Sequence, residues 1–309
     1  MQRRGERNAE LAADPRTNEE LIQLILDAGE DEERVFDELL VLLARGTRDT
    51  FIDAKALLEN GSIAERCLGA KILGELGLHA PWLDESEANE KSFFQERLAL
   101  LHERLEEEIE VNVQVAIIYA LGHMNDRRNA APLLLWSAHT SADIREAVAY
   151  ALAGINTPEV IAALITLSRD VVDEVRDWAV FSLAGVSDEE GNYIDNGIIR
   201  DAFAACLDDA SEDVRSGALA GLARRGDPRV ITPLLRELER EDFPVLVKDA
   251  AIDAGIQIGD SRLLPYLLTF RDYSMKLHKL FCSDMPLGEE FPQEIDQAIN
   301  RCLADKENG

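Results

Sequence analysis

Residues 174–183 read EVRDWAVFSL, and this stretch decides the fold because two others repeat its pattern. The others are DIREAVAYAL at 143–152 and DVRSGALAGL at 213–222. Each has an acid, a β-branched aliphatic residue and an arginine, followed by small or apolar residues and a final leucine. Apolar residues three and four positions apart are typical of an amphipathic helix. The chain therefore contains a set of related helices.

The same pattern recurs more weakly around residues 65, 113 and 247, so that successive copies start 31 to 48 residues apart. Periods of roughly 20 to 50 residues are typical of solenoids, in which each unit buries its apolar face against its neighbours. A second apolar-periodic segment lies between successive copies, as at 158–167 and 229–238. We therefore predict a stack of helix pairs, with insertions near 80–96 and 187–197.

The repeated pattern resembles the HEAT repeats, in particular the short bacterial subclass named after phycobilisome lyases. The resemblance rests on DIR, EVR and DVR at the start of the three stretches, and on the Gly-Asp turns at 226–227 and 259–260. It implies an all-α, right-handed superhelix of stacked antiparallel helix pairs, with the arginine-bearing helices on the concave side. Because one fold serves many unrelated functions, the resemblance predicts the fold and says little about function.

The chain outside the repeats is expected to cover the ends of the stack, because a terminal repeat has one uncovered apolar face. We predict a flexible segment over 1–16, a helical cap over 17–61, repeats over 62–270 and a helical cap with a tail over 271–309. No apolar run reaches the roughly 18 residues that a membrane span needs, and the charged start lacks the apolar segment of a secretory signal. The four cysteines show no paired spacing, which favours the reducing cytoplasm.

The composition is strongly acidic, with 60 Asp and Glu against 32 Lys and Arg and a net charge of −28. Such a field repels nucleic-acid phosphates and anionic lipid, and it attracts a cationic partner. We therefore expect a basic protein as the partner, and neither nucleic acid nor a membrane. One alternative stays open, because acidity can also serve only to keep an apolar-cored protein in solution.

One row of the repeat carries a basic or polar residue directly after the start position. We expect this row to form a structural ladder of charge-assisted hydrogen bonds between neighbouring repeats. Its arginines are Arg66, Arg145, Arg176 and Arg215, and Gln114 and Lys248 occupy the same position in the other copies. The start position and those three, four, seven and eight residues later are expected to face the core, which in one copy includes Trp178.

A second row, six residues after the start, is predicted to face the concave side. It holds Lys71, Tyr119, Tyr150, Phe181, Ala220 and Asp253. Tyrosine with acidic neighbours is suited to binding lysine or arginine through cation–π contacts and ion pairs. We therefore predict a partner-binding stripe at Tyr119, Glu146, Tyr150, Asp177, Phe181 and Asp253. The alternative is that the rings fold back onto the next helix and are mostly buried.

The sequence offers no candidate catalytic residue, metal ligand set or cofactor motif. The acidic stretch 188–195 lacks the alternating ligand spacing of a calcium loop, and the four-residue spacing of His278 and Cys282 arises easily by chance. Deoxyhypusine hydroxylase, a HEAT-like enzyme, uses repeated His-Glu pairs, of which this chain has one, at 102–103. The resemblance leaves open a phycobilin-lyase-like enzyme or a bilin binder.

These observations favour a non-catalytic, monomeric binding protein whose acidic concave face holds a basic protein, without a cofactor. An adaptor, an inhibitor or an immunity protein against a cationic toxin fits this description, because stoichiometric inhibitors gain from fast electrostatic association. The alternatives are the bilin-related activity and a structural scaffold without one dedicated partner.

Overall fold

The computed structural model describes residues 11, 13–29, 32–76, 93–240, 242–281 and 290–308, and the chain divides into two units, 1–155 and 156–309. The described part of each unit is built from α-helices joined by short connections. Most of the predicted flexible segment 1–16 and most of the predicted insertion 80–96 lie outside the described residues.

Eight α-helices make up the described part of the first unit. They are α1 (Asn18–Ala28), α2 (Glu32–Arg45), α3 (Arg48–Asn60), α4 (Ile63–Glu75), α5 (Phe94–Glu107), α6 (Val111–Met124), α7 (Ala130–Leu134) and α8 (Ala142–Ala151). Helices α4, α6 and α8 pack side by side in this order, and α3, α5 and α7 each pack against the helix that follows. Thr17, Thr47 and Ser62 begin α1, α3 and α4, because their side-chain oxygens accept hydrogen bonds from backbone N–H groups of the first turn.

The second unit repeats this arrangement. Its helices are α9 (Pro158–Leu167), α10 (Asp173–Ala184), α11 (Gly197–Cys206), α12 (Glu212–Arg224), α13 (Ile231–Leu238), α14 (Val245–Gln257), α15 (Leu264–Phe281) and α16 (Glu290–Asn308). Helices α10, α12, α14 and α16 pack side by side, and α9, α11, α13 and α15 each pack against the helix that follows. Within the described ranges there is no β-strand, only an isolated antiparallel bridge between Ser187 and Tyr193. The predicted all-α architecture of stacked helix pairs is confirmed, whereas the limits of the caps and repeats stay a prediction.

Short 3-10 turns precede three of the helices, and an aspartate begins each turn. The turns are Arg127–Asn129, Pro228–Val230 and Ser261–Leu263. Asp126, Asp227 and Asp260 each accept a hydrogen bond from the backbone N–H two residues on, and each pairs at 2.7 Å with the guanidinium of that same residue. The charge of these arginines is therefore neutralised within the turn.

The apolar periodicity places the core correctly in α10, with one exception. Val175 and Leu183 are fully buried, whereas Trp178, which the periodicity also assigns to the core, is only partly buried. The same position holds Gly217 in α12 and Ala250 in α14, and both are buried. The neighbouring helices carry small side chains at this position, and the larger indole is not fully enclosed, so the prediction for this residue holds only in part.

Helices α4 and α6 approach closely because Gly74 faces Ala120. A Cβ atom at position 74 would lie 2.5 Å from the Cα of Ala120 and 2.7 Å from its Cβ. Gly69 allows a similar approach to α3, since its Cβ would lie 2.7 Å from the carbonyl oxygen of Ala54. The spacing of this row of helices therefore depends on residues without side chains.

We expect Gly74→Ala to destabilise the protein, although alanine is the better helix former by about 1 kcal/mol. The added methyl group overlaps the Ala120 backbone, and overpacking of this kind costs roughly 1–3 kcal/mol. Gly197→Ala is the matched control, because nothing lies within 4 Å of its added Cβ. Urea unfolding followed by circular dichroism compares the variants. Equal midpoints for Gly74→Ala and the wild type would contradict the packing argument.

Candidate functional site

A groove of about 450 Å³ lies between α4 and α6 in the first unit. Its polar lining residues are Cys67, Lys71 and Glu75 from α4 and Asn112, Tyr119 and His123 from α6. Its apolar lining residues are Leu68, Val115, Ala116 and Ala120. Residues four apart share one face of a helix, so Cys67, Lys71 and Glu75 follow one another along α4. This surface is called the α4–α6 groove below.

Two residues of the predicted stripe are in contact next to this groove: Tyr119, which lines it, and Tyr150 of α8. Their ring centroids are 5.0 Å apart with an angle of 56° between the planes, and Tyr150 also meets the His123 ring edge-on at 5.7 Å. Gly122 leaves room for Tyr150, because a Cβ at position 122 would lie 3.1 Å from Cε1 of that ring. Both tyrosines are partly buried, so the rings are neither core residues nor fully exposed.

Two carboxylates contribute to raised pKa values of these tyrosines. Burial, and then the negative charge and hydrogen bond of Glu146, raise the pKa of Tyr119 to about 12. Burial and the charge of Glu75 raise the pKa of Tyr150. An oxygen of Glu75 also lies 3.5 Å from Nδ1 of His123. The structure therefore brings together three members of the predicted stripe and adds Glu75 and His123 to them.

The sequence prediction does not include Glu75 or His123. Each of them follows a member of the predicted row, Lys71 or Tyr119, by four residues. Because side chains four residues apart are neighbours on a helix surface, this spacing is the signal from which both could be predicted.

The remaining stripe residues lie in the second unit. Asp177 and Phe181 are on α10, where Asp177 is partly buried and Phe181 is 51% exposed. The ring of Phe181 meets that of Trp178 edge-on, with centroids 5.7 Å apart. The exposed ring of Phe181 is therefore accessible to a partner from one side.

Asp253 lies on α14, and α12 packs against both α10 and α14. The residue of the same row on α12 is Ala220, which is 2% exposed. Nε of Arg224 lies 3.4 Å from the Asp253 carboxylate, and burial raises the pKa of this carboxyl. The structure does not place Asp253 next to Phe181.

The ladder arginines contact both the next repeat and the turn before their own helix. The carboxylate pairs are Arg66–Glu108 at 2.9 Å, Arg176–Asp209 at 2.8 Å and Arg215–Glu237 at 2.9 Å. Each of these arginines also donates from Nη1 to a backbone carbonyl in the preceding turn, and Arg145 does so to His139 at 2.9 Å. These contacts support a structural role for the row.

Asp209 links two ladder arginines to each other. Its carboxylate accepts hydrogen bonds of 2.8 and 2.9 Å from Arg176, and its backbone carbonyl accepts one of 2.8 Å from Arg215. In the first unit the equivalent acid is Glu108. Its carboxylate accepts a hydrogen bond from Arg66, and its backbone carbonyl accepts one from Gln114. Both acids stand six residues before a ladder position, and this spacing is the signal by which they could be predicted. The hydrogen bonds from Arg176 hold the pKa of Asp209 below its usual value.

Among the residues that the structure describes, no group of three or more His, Cys, Asp or Glu side chains is placed to hold a metal ion. Over the same ranges, no helix is long and apolar enough to cross a membrane. Burial raises the pKa of the Cys67 thiol in the α4–α6 groove, which disfavours the reactive thiolate. His278 and Cys282 lie outside the residues whose side chains are described.

The sequence model of the HEAT repeats matches residues 98–184 and 200–274. Because these two ranges cover just over half of the chain, the protein belongs to the HEAT-repeat family. The resemblance that the DIR, EVR and DVR stretches predict is thereby confirmed at the level of the HEAT repeats.

Among proteins of known sequence, the chain is similar to Protein YibA of Escherichia coli strain K12 and of strain O157:H7. Both are 42% identical over 78 residues, which are 25% of this chain and 26% of theirs. The chain therefore aligns with about a quarter of the length of these curated relatives.

Among solved structures, the X-ray structure of the E. coli YibA protein superposes with a TM-score of 0.62 and 24% identity over 96% of this chain and 95% of that one. An engineered protein superposes with a TM-score of 0.50 and 17% identity over 94% of this chain and 78% of that one. At these identities the likenesses show the fold alone.

Arg176→Gln is expected to lower the free energy of unfolding by roughly 2–4 kcal/mol, because it leaves the largely buried carboxylate of Asp209 without its partner. The two side chains of this pair are 15% and 14% exposed. Arg236→Gln is the matched control, since Arg236 and Asp208 are 59% and 79% exposed and such a surface pair contributes about 0–1 kcal/mol. Urea unfolding measures both losses, and equal losses would refute the structural ladder.

The Arg176–Asp209 pair also predicts that the free energy of unfolding depends on pH. The pKa of Asp209 is lowered in the folded state, so its charge stabilises the fold above the unfolded-state pKa of about 4. That contribution disappears as the pH falls through the folded-state value. The difference in unfolding free energy between wild type and Asp209→Asn should therefore be largest near neutral pH and shrink below about pH 4. Urea titrations at a series of pH values test this, and a difference that grows in acid would contradict it.

Proposed function

We propose that this protein is a non-catalytic scaffold that binds a basic protein through the α4–α6 groove. The observation that carries the proposal is an open groove lined by Tyr119 and Glu75, with Tyr150 and Glu146 of α8 next to Tyr119. Aromatic faces attract cations, and carboxylates pair with them. HEAT repeats are generally protein-interaction modules, which supports a protein as the partner.

The second unit carries a candidate contact area of its own. Phe181 offers a ring that is 51% exposed, and Asp177 lies on the same helix. Exposed aromatic residues are frequent anchors of protein interfaces. Asp253 contributes less, because its carboxylate is already close to Arg224.

The excess of 60 acidic over 32 basic residues supports a partner of opposite charge. Complementary charge raises association rates, and this matters most for a protein that must capture its target stoichiometrically. We therefore propose an adaptor or inhibitor, including the type of immunity protein that neutralises a cationic toxin. The protein would act as a cytoplasmic monomer without a cofactor.

The composition of the groove favours a protein partner over the bilin-related alternative. Of the described residues that line the groove, Lys71 alone carries a permanent positive charge, whereas a bilin needs cationic groups for its two propionates. A bilin added to the purified protein would report binding through a change in its absorbance spectrum, and a stoichiometric change would favour that alternative.

The test of the proposal is a quantitative pull-down with the full chain as bait at low salt. Glu75→Gln/Glu146→Gln is compared with Glu103→Gln/Glu106→Gln, which changes the net charge equally at exposed positions of α5. We expect one basic protein in equimolar amount from the wild type and the control, at least about tenfold less from the groove variant, and release as salt screens the charges.

An acidic partner would contradict this proposal. So would equal recovery by both double variants, or recovery that does not change with salt.

A further inference from the structure

We infer that the α4–α6 groove, together with the adjoining surface of α8, takes the side chain of an arginine of the partner beside the two tyrosine rings and the two glutamates. This inference rests on the proposed function and names the group that anchors the partner at the same site. Its support comes from the way in which the chain binds its own arginines, from the groups that line the groove and from the shape of the groove.

The first unit already holds one of its own arginines against a pair of rings that are in contact with each other. The guanidinium carbon of Arg48 lies 4.8 Å from the ring centroid of Phe51 and 4.6 Å from that of Phe93. Its Nη1 atom lies 2.7 Å from a carboxylate oxygen of Glu96. Two aromatic rings and one carboxylate are thus sufficient to position a guanidinium in this protein.

The second unit contains a similar arrangement. The guanidinium carbon of Arg224 lies 5.4 Å from the ring centroid of Tyr193, and its Nε lies 3.4 Å from Asp253. A ring and a carboxylate therefore recur around arginine in two separate parts of the chain.

The same kinds of groups occur in the α4–α6 groove, where Tyr119 and Glu75 line it, and next to it on α8, where Tyr150 and Glu146 meet Tyr119. Tyr119 and Tyr150 provide two rings 5.0 Å apart, and Glu146 and Glu75 are the carboxylates that act on them. A planar guanidinium can stack on a ring and form a bidentate pair with a carboxylate at the same time, whereas the ammonium of lysine is a point charge without a flat face. The groove therefore favours arginine over lysine.

The apolar part of the groove suits the rest of an arginine side chain. Leu68, Val115, Ala116 and Ala120 line it, and long basic side chains bury their methylene stems on such surfaces while the charged end stays polar. The volume of about 450 Å³ falls within the roughly 300–1,000 Å³ of sites for small ligands. It accommodates one side chain together with part of the segment that carries it.

Lys71 and His123 also line the groove and restrict where the guanidinium can lie. Lys71 is exposed, and His123 lies 3.5 Å from Glu75. Glu146 is the carboxylate that acts directly on Tyr119. We therefore place the guanidinium against the ring of Tyr119, near the carboxylate of Glu146, with Glu75 adding to the negative field.

The test measures the binding of three fluorescent peptides to the full chain at low salt by anisotropy. One is a glycine-serine peptide with four arginines; in the other two, the arginines are replaced by lysine or by citrulline, which has the same shape without the charge. We expect the arginine peptide to bind several-fold more tightly than the lysine peptide and at least about tenfold more tightly than the citrulline peptide, as cation–π contacts and ion pairing together require.

Variants locate the binding site of the arginine peptide. Tyr150→Leu removes a ring and Glu75→Gln/Glu146→Gln removes the charges without changing shape, and each should weaken binding by about tenfold or more. Glu103→Gln/Glu106→Gln should leave it unchanged. If circular dichroism shows that Tyr150→Leu does not fold, the comparison of the two glutamine variants alone locates the binding site.

Several results would overturn the arginine site and leave the basic partner in place. They are equal weakening by the two glutamine variants, no preference for arginine over lysine, and no binding of any peptide while the pull-down still recovers a basic protein. Failure of the wild type to recover a basic protein in the pull-down would overturn the proposed function itself.

Discussion

We propose that the stack depends on the hydrogen-bonded pair between an arginine of one repeat and a carboxylate of the next. A helix pair in such a stack has no core of its own and is stable only against its neighbours. A largely buried charge is tolerated only when it is paired, and sliding one repeat past the next would separate Arg176 from Asp209. In this proposal, the pair fixes the level at which neighbouring helices stack. In the first unit, Arg66 and Glu108 likewise join α4 to the turn before α6, the two helices that form the groove.

The sequence predicts the fold well because apolar periodicity directly determines which residues form the core. Val175 and Leu183 follow this rule, and both are fully buried. Trp178 follows it only in part, because periodicity gives the direction of a side chain and not the space available to it. At the same level, a Cβ on Gly217 would already lie 2.9 Å from Cγ1 of Val180. Close packing between helices is a property of two segments at once, so a single repeat cannot reveal it.

The site was predictable only in part, for the same reason. The spacing from the start of the repeat identifies Tyr119 and Tyr150, but their contact depends on the distance between α6 and α8. The position six residues before a ladder residue does not identify the ladder acid in every repeat. It gives Asp242 as the partner of Arg215, yet Arg215 pairs with Glu237 and Asp242 is 87% exposed. The next residue along, Phe243, packs against Phe270 with centroids 5.9 Å apart, which places this turn differently from the others.

In the proposed complex, the net charge and the groove act on the partner at different distances. Exposed charges are screened beyond about 8 Å at physiological ionic strength, so a charge of −28 speeds the encounter without choosing among basic proteins. Arginines such as Arg176 and Arg229 are paired within the fold and do little to offset the acidic surface. Discrimination among basic proteins therefore depends on the groups that contact the partner. At Tyr119 and Tyr150 the water is partly excluded, so a carboxylate interacts more strongly there than at the open surface. A surface of carboxylates alone would accept any cation, whereas two rings beside them favour a flat one.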